Sequence, residues 1–182
     1  MKISSDYRDL LSIFNAAGVR YLIVGGYAVM IHTEPRYTKD LDIWIDCSEP
    51  NAQAVFTALA DFGAPLKGLR PSDFTEPEVF YQIGMEPVRI DIMTSVSGLD
   101  FASAWKRRVI VDFDGETAPV LSRADLISKR AADRLRDRKH VRRLHTSHSC
   151  RSAAIGSILV ARRAGANTAP SATIAKNKGA AT

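Results

Sequence analysis

Asp40-Leu41-Asp42 is where this 182-residue chain first pairs residue type with a spacing that permits chemistry. On a strand, side chains at i and i+2 point to one face, so the two carboxylates would stand side by side. Adjacent carboxylates repel unless a cation joins them. Mg²⁺ is a hard ion that takes oxygen ligands, usually one or two carboxylates with phosphate oxygens and water, so the pair suits a metal–nucleotide complex. Asp91, set between Ile90 and Ile92, is a third carboxylate that is costly to bury without a partner. A metal shared with Asp40 and Asp42 would supply one.

Gly25-Gly26 lies 14 residues before Asp40, counted from the second glycine. Glycines let a phosphate approach backbone N–H groups, and the start of a helix adds a field favourable to negative charge. Between the turn and the carboxylates, Arg36 and Lys39 are placed to neutralise remaining phosphate charge. Each feature alone has a plainer explanation. Asp-x-Asp suits a solvated strand edge, Gly-Gly a simple turn, and Arg36 and Lys39 an ordinary loop. Their combination favours metal and nucleotide binding. Asp46 shares the carboxylate face but falls at the strand end, where an exposed or helix-capping role fits better. Trp44 and Trp105 suit packing.

These residues need elements to position them. Asp6 to Ala17 carries Leu10, Leu11 and Phe14 at helical spacing and ends at Gly18, which suggests a first helix. Tyr21-Leu22-Ile23-Val24 reads as a short buried strand, then the glycine turn, then a helix to His32. Leu41 to Asp46 alternates strictly, with Leu41, Ile43 and Ile45 on one face and Asp40, Asp42, Trp44 and Asp46 on the other. Ser48 as N-cap, Pro50 in the first turn and Gly63 at the end bracket a third helix. Val79 to Ile83 and Val88 to Met93 suit a hairpin, which puts Asp91 inside its second strand. Leu99 to Arg107 is weakly helical. Val109 to Phe113 and Thr117 to Leu121 form another hairpin around Asp114-Gly115-Glu116. Ser122-Arg123-Ala124-Asp125 has the form of a capping box, opening a last helix that runs to about Leu144.

The chain has a mass of 20.0 kDa with 46% hydrophobic residues, enough for one ordinary core and too little for a multi-domain enzyme. Two cysteines, Cys47 and Cys150, exclude a disulfide framework. Met1-Lys2-Ile3-Ser4-Ser5-Asp6 lacks the pattern of a signal peptide, and no apolar stretch approaches a membrane span. A soluble cytoplasmic protein is expected. The net charge of +5 hides an asymmetry, because the last acidic residue is Asp137. All 20 acidic residues and 16 basic ones lie in residues 1–137, whereas the remaining 9 basic residues lie in 138–182. The expected division is a domain over residues 1–144 and a basic tail, poorly ordered and of low complexity, over 145–182. His140, His145, His148 and Cys150 lack both the hydrophobic frame and the spacing of a zinc site. Arg138 to Arg143 fits contacts with RNA phosphates or a plain cationic extension.

In order, Val24-Gly25-Gly26, then Arg36-Tyr37-Thr38-Lys39-Asp40-Leu41-Asp42-Ile43, then Arg89-Ile90-Asp91-Ile92 resembles the polymerase-beta-like nucleotidyltransferase superfamily. Small bacterial minimal nucleotidyltransferases, including those related to abortive-infection toxins, are the most similar branch. The resemblance covers about residues 5 to 137 and includes Asp125-Leu126-Ile127-Ser128-Lys129-Arg130-Ala131-Ala132, similar to the closing helix of such proteins. It departs beyond Asp137, where relatives carry an acidic turn and this chain is basic.

The resemblance implies an α/β (α+β) nucleotidyltransferase fold with a mixed β-sheet flanked by helices. It implies two divalent ions, Mg²⁺ or Mn²⁺, on Asp40 and Asp42, with Asp91 completing the second site and serving as candidate base. It further implies contacts from Gly25, Gly26, Arg36, Thr38, Lys39 and Lys129 to a nucleoside triphosphate such as ATP. The activity implied is transfer of a nucleoside monophosphate to an acceptor hydroxyl on a tRNA end, a protein or a small molecule. A non-catalytic binding module, such as one component of a toxin–antitoxin pair, is the alternative. No membrane partner is expected.

Overall fold

Short strands rich in apolar residues, joined by helices and by two hairpins, build a single mixed sheet in the computed structural model of the protein. The structure describes residues 1–33, 38–85, 88–141 and 161–162. Helix α1 (Ser5–Ala16) leads through Gly18 into strand β1 (Tyr21–Ile23). Helix α2 (Gly25–His32), strand β2 (Asp40–Ile45) and helix α3 (Glu49–Asp61) follow. A 3₁₀ turn (Pro71–Phe74) precedes the hairpin of β3 (Val79–Met85) and β4 (Val88–Met93). Then come α4 (Phe101–Lys106), the hairpin of β5 (Val109–Phe113) and β6 (Glu116–Val120), and the long helix α5 (Arg123–Val141). Residues Ala161–Arg162 form β7, which pairs antiparallel with Val79 and Phe80 of β3. The expected boundary near Leu144, the rest of the tail and the side chains of the His140–Cys150 group lie outside the described residues.

The strand order is β5-β6-β1-β2-β4-β3-β7, with β6/β1 and β2/β4 parallel and the other pairs antiparallel. The mixed sheet flanked by helices matches the expected fold class. Its main core forms where the apolar face of β2, Leu41, Ile43 and Ile45, lies beside Tyr21 and Ile23 of β1. Leu10, Leu11 and Phe14 of α1 and Val55 and Leu59 of α3 complete it, all fully buried. Phe14 meets Tyr21 edge-on at 5.4 Å, a geometry that aligns ring edge with ring face.

The opposite face of β2 carries Asp40, Asp42 and Trp44. Buried Trp44 donates through Nε1 to the Thr94 carbonyl and meets Phe101 of α4 edge-on. Trp105 stacks on Phe101 and lies under the Arg108 guanidinium, so both tryptophans pack as expected. Ser48 is the N-cap of α3, yet its hydroxyl makes no capping bond. Asp46 instead accepts from the Ser48 N–H at 3.3 Å and pairs with Arg20 at 2.7 Å. Its capping role is therefore exercised from two residues upstream.

Candidate active site

Parallel register places the three carboxylates on one side of the sheet. Asp42 of β2 stands opposite Asp91 of β4, and Asp40 stands opposite Arg89. Residues paired across a ladder share a face, so Asp40, Asp42, Arg89 and Asp91 project together. Gln82 of β3 pairs with Asp91 and extends the row.

Asp42 is fixed from behind by the glycine turn. Gly25 has φ +60°, a conformation natural to glycine, and a Cβ there would overlap the Asp42 carboxylate. The N-cap of α2, Val24, offers no capping side chain. The backbone of Gly26, in the first turn of this helix, works to lower the Asp42 carboxyl, so the start of α2 faces the carboxylate electrostatically. Burial and the charge of Asp91 push the Asp42 carboxyl up from 3.8 to about 6, against the lowering effects of the Gly26 N–H and Lys129. Asp91 is 4% exposed. Burial raises its carboxyl too, and Asp40 adds to that, while Arg89 and Gln82 work to lower it.

Arg89 is the main internal cation of the row. Its Nη2 donates to Asp40 Oδ2 at 2.5 Å, and its Nε lies 3.2 Å from Asp91 Oδ1. The second contact lacks hydrogen-bond geometry, which leaves Arg89 Nε and Asp91 Oδ1 as buried polar atoms without a hydrogen-bond partner, and Asp40 Oδ1 is a third. Such orphaned atoms are costly. Hard carboxylate oxygens in this condition fit a divalent cation by donor type. The three groups do not close around a common point, however. Among the described residues, no trio of His, Cys, Asp or Glu side chains has metal-binding spacing.

The remaining expected residues divide by location. Thr38 leans on Gly26, where an added Cβ would come within 2.5 Å of its Oγ1. Lys39 is exposed at the entrance to β2. Lys129 on α5 pairs with Asp133 at 2.8 Å, and its charge reaches Asp42. Arg36 lies outside the described residues.

Two contributors were not among the expected site residues. Arg89 opens the Arg89-Ile90-Asp91-Ile92 segment, but its part in the site appears only when register sets it opposite Asp40. Tyr7, 2% exposed, bridges the sheet from α1. Its hydroxyl lies 2.6 Å from the Lys39 carbonyl and 3.1 Å from the Arg89 carbonyl, and it accepts from the Arg89 N–H at 3.2 Å. Burial raises this phenol to about 12. Because the hydroxyl has one proton, it serves the two carbonyls unequally.

No family model and no curated protein sequence matches the chain. A solved structure does. The crystal structure of a Thermotoga maritima protein, provisionally assigned as a nucleotidyltransferase, is similar over 76% of this chain and 88% of its own, with a TM-score of 0.52 and 17% identity. The chain has a nucleotidyltransferase-like fold. Among the described residues, no helix is long and apolar enough to cross a membrane.

Proposed function

We propose that the protein is a metal-dependent nucleotidyltransferase that moves a nucleoside monophosphate from a nucleoside triphosphate to an acceptor hydroxyl, releasing pyrophosphate. The observation carrying this proposal is the row of Asp40, Asp42 and Asp91 on one sheet face, with Asp42 pressed against the Gly25-Gly26 turn. The fold likeness to a protein provisionally assigned as a nucleotidyltransferase supports it.

Asp40, Asp42 and Asp91 would hold Mg²⁺ or Mn²⁺, which supplies activation of the acceptor hydroxyl and neutralisation of charge on the leaving pyrophosphate. Asp91, whose carboxyl burial raises, would take the acceptor proton. Gly25, Gly26, Arg36, Thr38, Lys39 and Lys129 would contact the triphosphate. Orienting the α-phosphate against the acceptor is then their contribution. Acceptors of this chemistry include a tRNA end, a protein hydroxyl and a small molecule. The minimal nucleotidyltransferases related to abortive-infection toxins remain the branch we favour, and an antitoxin partner would follow from it.

One observation favours the alternative of a non-catalytic binding module. Arg89 already pairs with Asp40, and the three carboxylates lack metal-binding spacing. Incubation with Mg²⁺, labelled nucleoside triphosphates and either total tRNA or cell extract separates the two. A labelled acceptor establishes transfer, whereas nucleotide binding with no product under any of these conditions supports the binding module.

A further inference from the structure

The row of carboxylates contains its own cation, and this inference rests on the metal reading above. The geometry points to Arg89 as a resident counter-ion that competes with a divalent ion for Asp40 and Asp91, so that loading the site displaces its guanidinium from at least one of them.

Arg89 lies between the two carboxylates, reaching Asp40 Oδ2 through Nη2 and facing Asp91 Oδ1 through Nε. A cation shared by Asp40 and Asp91 needs these oxygens or their immediate neighbours. Guanidinium and Mg²⁺ on the same oxygens would sit roughly 4 Å apart, where like charges in a partly buried site repel strongly. Only one of them can hold both carboxylates. The contacts also differ in strength. The arginine makes one hydrogen bond and leaves Nε, Asp40 Oδ1 and Asp91 Oδ1 unpaired, whereas a hard ion takes carboxylate oxygens directly at about 2.1 Å.

Arg89 has room to leave. Its side chain is 29% exposed, while its backbone is fixed in β4, with the N–H donating to the Tyr7 hydroxyl at 3.2 Å. Departure is then a side-chain rotation on a fixed strand. This explains why three carboxylates on one face fall short of metal-binding spacing. Two of them are held to the guanidinium.

The test is titration calorimetry of the full chain with Mg²⁺ and Mn²⁺, comparing wild type with Arg89→Gln. The competing arginine requires Kd for the ion to fall by about tenfold or more in the variant, equivalent to about 1.4 kcal/mol. A wild type that binds the ion while Arg89→Gln binds it equally or more weakly overturns the inference alone. No binding by either protein brings down the metal reading together with it. If the variant does not fold, the Nε–Hε resonance of Arg89 in wild-type protein decides instead. Saturating Mg²⁺ should move it towards that of a solvated arginine, and an unmoved resonance overturns the inference.

Discussion

Asp42 and Asp91 stand directly opposite each other on the adjacent parallel strands β2 and β4, with both carboxylates on one side of the sheet. Their mutual repulsion adds to burial in raising Asp42 to about 6. A carboxyl raised in the folded state has its full stability contribution below the unfolded value of 3.8 and loses it as pH rises through about 6. In EDTA, Asp42→Asn should therefore be more stable than wild type by about 2 to 3 kcal/mol at pH 7, with the advantage vanishing below pH 4. Urea midpoints across that range measure it. Transfer should be abolished in the variant, since an amide replaces a hard anionic ligand. Loss of folding together with activity would instead mark Asp42 as a structural residue.

Gly25 and Gly26 should respond differently to alanine. At Gly25 both the left-handed backbone and the Asp42 carboxylate oppose a side chain, so Gly25→Ala should cost about 2 kcal/mol or more and dislodge Asp42. At Gly26 the obstacle is the Thr38 side chain alone, which belongs to a loop able to shift. Gly26→Ala should therefore lose less stability, while weakening nucleotide affinity through displaced Thr38. Denaturant melts paired with nucleotide titration separate the two, and equal losses in both would contradict this division.

Tyr7→Phe should destabilise the protein by about 1 to 3 kcal/mol, because it strips a partner from the part-buried Arg89 N–H and from the Lys39 carbonyl. Amide hydrogen exchange at Arg89 should accelerate more than exchange in β5, which Tyr7 does not touch. Uniform acceleration would mean that Tyr7 supports only the core at large.

The legible parts of this molecule are those in which local rules and tertiary packing agree. The strict alternation of β2 identified which of its residues face the core, because Leu41, Ile43 and Ile45 must be buried for the strand to pair at all. The glycine turn, the two hairpins and the Ser122–Asp125 box were legible for similar reasons. Alternation says nothing about which strand lies next to which. The pairing of Asp42 with Asp91 comes from β2/β4 register, a contact between residues 49 apart in sequence. Arg89 and Tyr7 were hidden for the same cause. Arg89 stands in a recognisable segment, but nothing local says that it will face Asp40, and Tyr7 sits on an amphipathic helix where any large apolar residue would satisfy the pattern.

Asp125 ties the start of the last helix to the end of α4 through Arg107, and its removal should be felt in acid and at neutral pH differently. It is 4% exposed and accepts two hydrogen bonds from Arg107 and one from the Ser122 hydroxyl. Burial works to raise its carboxyl, but these bonds outweigh it and hold the group below 3.8. A depressed carboxyl contributes stability above its unfolded value and loses it as pH falls through the lower folded value. Asp125→Asn should thus be less stable than wild type by about 2 kcal/mol at pH 7, with the gap narrowing below pH 4. Since Lys129 lies one turn further along α5 and its charge reaches Asp42, the variant should also weaken triphosphate binding. A stability gap that is constant from pH 7 to pH 3 would show that the ion pair with Arg107 is not its source.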